Sequence, residues 1–122
     1  MRHISTTGHP NKFEVLFNTR ALQAATMTLK RGATSDDELG NEHPRCEQWL
    51  YVITGTATAT LASALRKRTV QLKTGSLLVI EKGERHQIRN TGTRPFRTLN
   101  FYVPPAYNED GEVKATAKKA TR

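Results

Sequence analysis

The sequence predicts a single all-β domain, built as an antiparallel sandwich or barrel. Three observations lead there. Short runs rich in Val, Ile, Thr, Tyr, Phe and Trp recur along the chain at regular spacing. Glycine and polar clusters punctuate them, at Lys30–Gly32, Lys73–Gly75, Glu81–Arg85 and Thr91–Pro95. No segment sustains apolar residues at the helical period.

Taken in order, Lys12–Asn18 is a short strand and Arg20–Leu29 a longer one, closed by Gly32. Thr34–Asn41 is polar and acidic and reads as a loop. Gln48–Leu61 carries Trp, Tyr, Val, Ile and threonines, with Gly55 marking a bulge or bend inside the run. Within it, Thr56, Thr58 and Thr60 alternate with Ala57, Ala59 and Leu61, a period of two that selects strand over helix. Ala62–Lys67 is a hairpin connection and Arg68–Leu72 the returning strand. Ser76–Ile80 is continuously apolar, as in a strand buried on both faces. His86–Asn90 and Phe96–Val103 complete the set. The expected organisation is an N-terminal arm and strand at 1–19, a barrel at 20–106 and a basic, flexible tail at 107–122.

A chain of 122 residues holds one core. Hydrophobic residues at 36% and aromatics at 7% are modest, which leaves room for part of the core to form across a subunit interface. No apolar run reaches the roughly 18 residues of a membrane helix. Met1–Ser5 has a positive charge but no apolar stretch behind it, so it is not a secretory signal. With that and a single cysteine, Cys46, the expected compartment is the cytoplasm.

The formal charge is +8, which favours acidic partners such as nucleic acid, anionic lipid or small carboxylates and phosphates. Its distribution argues against nucleic acid. Lys114, Lys118, Lys119 and Arg122 fall in the tail, Arg66, Lys67 and Arg68 in a hairpin turn, and neither group is interleaved with aromatics.

Two imidazoles stand out. His86 follows Gly83, whose freedom to take a positive φ sets the angle at which the strand begins. His86, Ile88 and Asn90 then share one face. A strand histidine taken alone is more often a hydrogen-bonded interior residue than a ligand. His43 precedes Pro44, which biases it towards extended geometry. Such a loop histidine usually has no special role; the pairing with His86 is what raises it. Neutral imidazole is the commonest transition-metal ligand. Gln48 shares a face with Leu50 and Val52, and its carbonyl oxygen can ligate without bringing charge. A glutamine hydrogen-bonded inside the barrel is an equal reading. Glu42 and Glu47 flank these residues and read first as solvated surface groups, with a carboxylate ligand as the alternative if the register differs; Cys46 reads first as an inert thiol, with a thiolate ligand as the alternative. There is no nucleophile elbow, phosphate-cradling loop or Cys-x-x-Cys pair, so acyl transfer and nucleotide hydrolysis find no support.

On these residues the chain resembles a cupin. Gly75, five residues, Glu81, Lys82, Gly83, two residues, His86, three residues and Asn90 reproduce the family's second motif, with Glu81 in place of its proline. Gln48–Gly55 has the shape of the end of the first motif, with Gln48 where a glutamate is usual. His43 is the survivor of a His-x-His pair whose mate falls on Asn41 or Arg45. Tyr102–Pro105 and Asp110-Gly111 are similar to small single-domain bacterial cupins of the mannose-6-phosphate-isomerase-like subgroup. The resemblance spans roughly Leu22–Gly111. It implies a jelly-roll barrel (double-stranded β-helix) of six to eight strands and a homodimer, formed by exchange or pairing of N-terminal strands. It also implies a divalent metal (Fe, Mn, Ni or Zn) held by His43, Gln48 and His86.

Three functions follow as expectations. The first is a metal-binding cupin acting on a small oxygenated molecule, acid or sugar-like, by dioxygenation or isomerisation, with Leu50, Ile88 and Arg45 contacting the ligand. The second is a non-catalytic binder of such a molecule that has lost its metal. The third is a DNA-associated regulatory protein driven by the positive charge.

Overall fold

The computed structural model describes residues 1–118 and contains eight β-strands. They are β1 (Phe13–Asn18), β2 (Gln23–Leu29), β3 (Glu47–Thr54), β4 (Ala57–Ala62), β5 (Lys67–Leu72), β6 (Leu77–Ile80), β7 (Arg85–Asn90) and β8 (Phe96–Val103). A single 3-10 turn at Ala115–Ala117 follows. The strands form a five-stranded sheet, ordered β1-β2-β8-β3-β6, and a three-stranded sheet, ordered β5-β4-β7. Every pairing is antiparallel. None of the described helices is long and apolar enough to cross a membrane.

Alternation places the core between the sheets. On β3, Gln48, Leu50 and Val52 are buried, whereas Trp49 and Tyr51 are exposed. On β7, His86, Ile88 and Asn90 are buried together, and on β8 so are Phe96, Thr98, Asn100 and Tyr102. Leu29, Leu50, Val52, Ala57, Leu72, Ile88 and Phe96 pack into the main apolar cluster. Each large side chain buried there contributes about 1.5–3 kcal/mol.

The chain changes sheet between β3 and β4, and Gly55 makes this possible. Its φ is +100°, and a Cβ there would lie 2.8 Å from the Pro95 carbonyl oxygen. Asn90 secures the return from β7 to β8. Its side-chain amide donates to the carbonyls of Leu29 and Arg94, and its oxygen accepts from Gly92 N–H. The asparagine of the motif therefore holds a corner of the barrel.

One expectation is corrected. Ser76–Ile80 is not buried on both faces: β6 is an edge strand, and Leu77 is exposed on the outer side of its sheet. The expected basic tail is described as far as residue 118, where it drapes over the barrel with a few side chains buried. Buried Gln23 anchors its start, accepting from the N–H groups of Ala106 and Tyr107 and donating to the Tyr107 carbonyl at 2.7 Å. Tyr107 bridges to Val113, with a turn between them at Asp110-Gly111. Ala106, Tyr107 and Ala117 are buried against Cys46 and Tyr102. These apolar side chains were hidden among charged neighbours in a run whose average polarity reads as tail. Lys119 and Arg122 lie outside the described residues.

Candidate metal and ligand site

Two loops bring the imidazoles together. His86 N–H donates to the Gly40 carbonyl at 2.8 Å, and Gly83 N–H to the Pro44 carbonyl at 3.0 Å. Asn41 ties the same loops through its side chain. Its amide donates to the Glu84 carbonyl, while its oxygen accepts from His43 N–H, both at 2.9 Å. The ring centroids of His43 and His86 end 5.2 Å apart. The rings of Tyr102 and Tyr107 lie 5.1 and 5.9 Å from that of His43.

His43, Gln48 and His86 are all buried and all line one cavity of about 180 Å³. Met27 and Ile88 link it to the main core, and Phe13, Tyr102 and Tyr107 form aromatic walls. Asp36, Glu42 and Lys12 bring its charges. Tyr107 O–H donates to the Glu42 carboxylate at 2.6 Å, so the C-terminal segment closes over the cavity from one side. Among the described residues, no cationic side chain lies within ion-pair distance of Asp36 or Glu42.

Both imidazoles are held neutral. Burial, with the nearby His86 adding to it, pushes His43 down to about 4. Burial also lowers His86, against opposing contributions that include the Glu84 carbonyl and Asp36. The His86 Nδ1 lies 3.3 Å from that carbonyl, which assigns the proton to Nδ1 and leaves Nε2 with a free lone pair. Burial and the neighbouring Glu42 raise Asp36, so this carboxyl holds a proton more readily than an ordinary aspartate. Burial raises both tyrosines, which stay protonated as donors.

Two buried polar atoms have no protein partner here: His43 Nδ1 and Gln48 Oε1. Leaving such an atom unsatisfied costs about 1–3 kcal/mol. This is what a site built for an additional group looks like. The donor set is two imidazoles and an amide oxygen, which fits a borderline divalent ion though it lacks a neutralising carboxylate. Among the described residues, no three His, Cys, Asp or Glu side chains are grouped to hold a metal.

Of the expected ligand contacts, Ile88 lines the cavity. Leu50 does not: it shares a face with Gln48 but lies deeper, fully buried in the main core. Arg45 is exposed and outside the cavity lining, because the chain turns outward between buried His43 and buried Cys46. Asn41 spends its side chain on the loop clamp, so neither candidate for the lost histidine replaces it. Glu42 is exposed, in keeping with a solvated residue, and its carboxylate also borders the cavity. Glu47 accepts from the Trp49 indole N–H on the outer face. Cys46 is buried and its thiol is raised by that burial, which suits an inert residue.

Sequence reasoning passed over Asp36, Tyr102 and Tyr107. Asp36 looked like one of several loop acids. Tyr102 had a readable signal, since it shares a face with Thr98 and Asn100 and pairs directly with Gln48. Tyr107 carried no signal beyond being an aromatic in a polar run.

Two antiparallel sheets packed face to face, with paired histidines lining a cavity between them, define a class: small double-stranded β-helix proteins. The chain belongs to the cupin family, whose domain matches residues 25–102. Solved structures resemble it over most of its length. The protein BH2720 of Bacillus halodurans shares 24% identity at a TM-score of 0.77, covering 88% of this chain and 80% of that one. KdgF from Halomonas shares 21% at 0.63, with 80% of each chain covered. An oxalate decarboxylase of Lactobacillus farciminis, solved as a formate complex, shares 30% at 0.64 over 73% of this chain but only 26% of its own. No curated protein matches the sequence.

Proposed function

We propose that this chain is a small metal-binding cupin whose cavity takes a small hydroxyl-bearing molecule. The convergence of His43, His86 and Gln48, with buried acceptor atoms left unpaired, carries this reading. One nitrogen of each ring and Gln48 Oε1 would hold the ion. Such an ion supplies Lewis acidity to a ligand oxygen.

The chain's own residues define what the ligand meets. Two neutral imidazoles, the Gln48 oxygen and two carboxylates make the lining rich in acceptors. One lysine stands against two carboxylates, so the lining is net negative before any ion binds. Hydroxyl donors suit it, and a free acid would need the cation to offset Asp36 and Glu42. Asp36, raised and beside the ligand space, is the group placed to take and return a proton. Tyr107 keeps Glu42 in place. This favours isomerisation over dioxygenation.

A second reading has its own support. Gln48 brings no charge to the ion, which favours a barrel that binds its ligand without a metal. Thermal-shift measurements separate the two. Metal-stripped protein should rise in Tm with Fe(II), Mn, Ni or Zn, by about 4 kcal/mol of stabilisation at 1,000 times Kd, and His86→Ala should abolish the rise. Stabilisation by polyols that ignores chelator would select the metal-free binder. No shift with any of the four metals would end the metal reading.

A further inference from the structure

We propose that His9 and Glu14 form a pH-operated clasp that closes the N-terminal arm and holds Lys12 and Phe13 as one wall of the cavity. The geometry starts at the His9 ring. Its Nδ1 lies 2.5 Å from Glu14 Oε2, and its Nε2 lies 2.7 Å from the Ser5 carbonyl oxygen. An ionised carboxylate and a carbonyl only accept hydrogen bonds. A neutral imidazole has a single N–H, so either tautomer would leave a ring lone pair facing an oxygen lone pair at hydrogen-bond distance. Only the imidazolium satisfies both contacts.

The clasp joins the arm to the sheet. Glu14 of β1 pairs with Thr26 of β2, and both lie on the outer face. His9 belongs to the arm, and its carbonyl accepts from the Thr28 hydroxyl of β2. Arg97 of β8 donates to the Thr6 carbonyl at 2.7 Å. Under this cover Thr26 is only 1% exposed. The Asn11 amide donates to the second oxygen of Glu14. The chain between the two ends of the clasp is bent, and it carries Lys12 and Phe13 to the cavity. Lys12 is the one lysine or arginine in the cavity lining, and the Phe13 ring packs 4.6 Å from that of Tyr107.

The groups facing His9 set its response. The Ser5 carbonyl and the Glu14 carboxylate raise it above the ordinary 6.5, while partial burial and Arg97 of β8 oppose them. From β2 it meets Thr28, which carries no charge. The closed arm therefore holds a proton that the released arm gives up more readily. The clasp is intact below about pH 6.5 and weakens as the pH rises through the folded His9 pKa. Weakening loosens one wall of the cavity and its one lysine as the solution turns alkaline. That consequence for a ligand rests on reading the cavity as a binding site; the clasp itself does not.

Nitrogen-15 NMR of the His9 ring, in full-length protein with chelator, reads the clasp directly. The titration midpoint should lie above 6.5, and Glu14→Gln should move it back towards that value. Hydrogen exchange, corrected for its intrinsic pH dependence, follows the arm. Protection of residues 9–14 should fall by up to about tenfold per pH unit from pH ~6.5 to the His9 midpoint, then level off. His9→Gln should be weakly protected at every pH. Arg97→Gln should lose protection at every pH yet keep the dependence. Far-UV circular dichroism checks that each variant is folded. A His9 midpoint at or below 6.5 overturns the proposal, and so does an exchange profile shared by wild type and His9→Gln. Neither readout involves a metal or a ligand, so the clasp and the binding-site reading fail separately.

Discussion

Acid sensitivity of the metal-free protein follows from His43 and can be worked through. Its folded pKa is about 4, against 6.5 for an ordinary histidine. The folded state thus resists the proton that the unfolded chain accepts. The stability this represents is fully present above about pH 6.5 and falls away as the pH drops to about 4. At ~1.36 kcal/mol per pH unit, the difference amounts to about 3 kcal/mol. His86 is lowered too and acts in the same direction. Asp36 is raised and acts oppositely, since its folded form takes up a proton first. The His43 contribution is therefore isolated by comparison with His43→Gln. Urea unfolding of both proteins in chelator, at several pH values across this window, provides the measurement. The wild type should lose about 2–3 kcal/mol more than the variant between neutral pH and about pH 4. Parallel profiles would refute the reasoning, because they would mean that His43 titrates as an exposed histidine does.

Other consequences are as direct. Gly55→Ala should cost about 2 kcal/mol or more in urea unfolding, because its φ and the Pro95 carbonyl both oppose a Cβ. Gln23→Ala removes three hydrogen bonds from a buried position. It should cost about 2–4 kcal/mol and make residues 106–118 readily cleaved in limited proteolysis. Native Cys46 should resist thiol reagents and react at the rate of unfolding, so rapid labelling of folded protein would contradict its burial.

The barrel was legible because its signals are local. Period-two alternation set the faces of β3, β4 and β7, and the spacing from Gly75 to Asn90 placed a turn, a histidine and a corner asparagine in one stretch. The two imidazoles could be paired only through family resemblance, since they lie 43 positions apart and no local pattern records a contact between loops. Asp36 was not legible as a cavity residue, and Glu42 only as an alternative carboxylate, because a carboxylate in a polar loop looks the same whether it faces water or a pocket. Tyr107 was hidden for a related reason: its burial depends on Gln23, an interaction across 84 positions. The burial of β6 on both faces was misread because an apolar run does not distinguish a strand covered on both sides from one whose outer side chains stay exposed, as Leu77 does.

The most direct test of the central claim is an anomalous-difference map from crystals of metal-loaded protein. One peak should appear inside the barrel, within about 2.0–2.2 Å of a nitrogen of His43 and of His86, with the Gln48 oxygen also in its shell. Clear density for both rings with no peak between them, or a peak bound only by Asp36 and Glu42, would contradict the account.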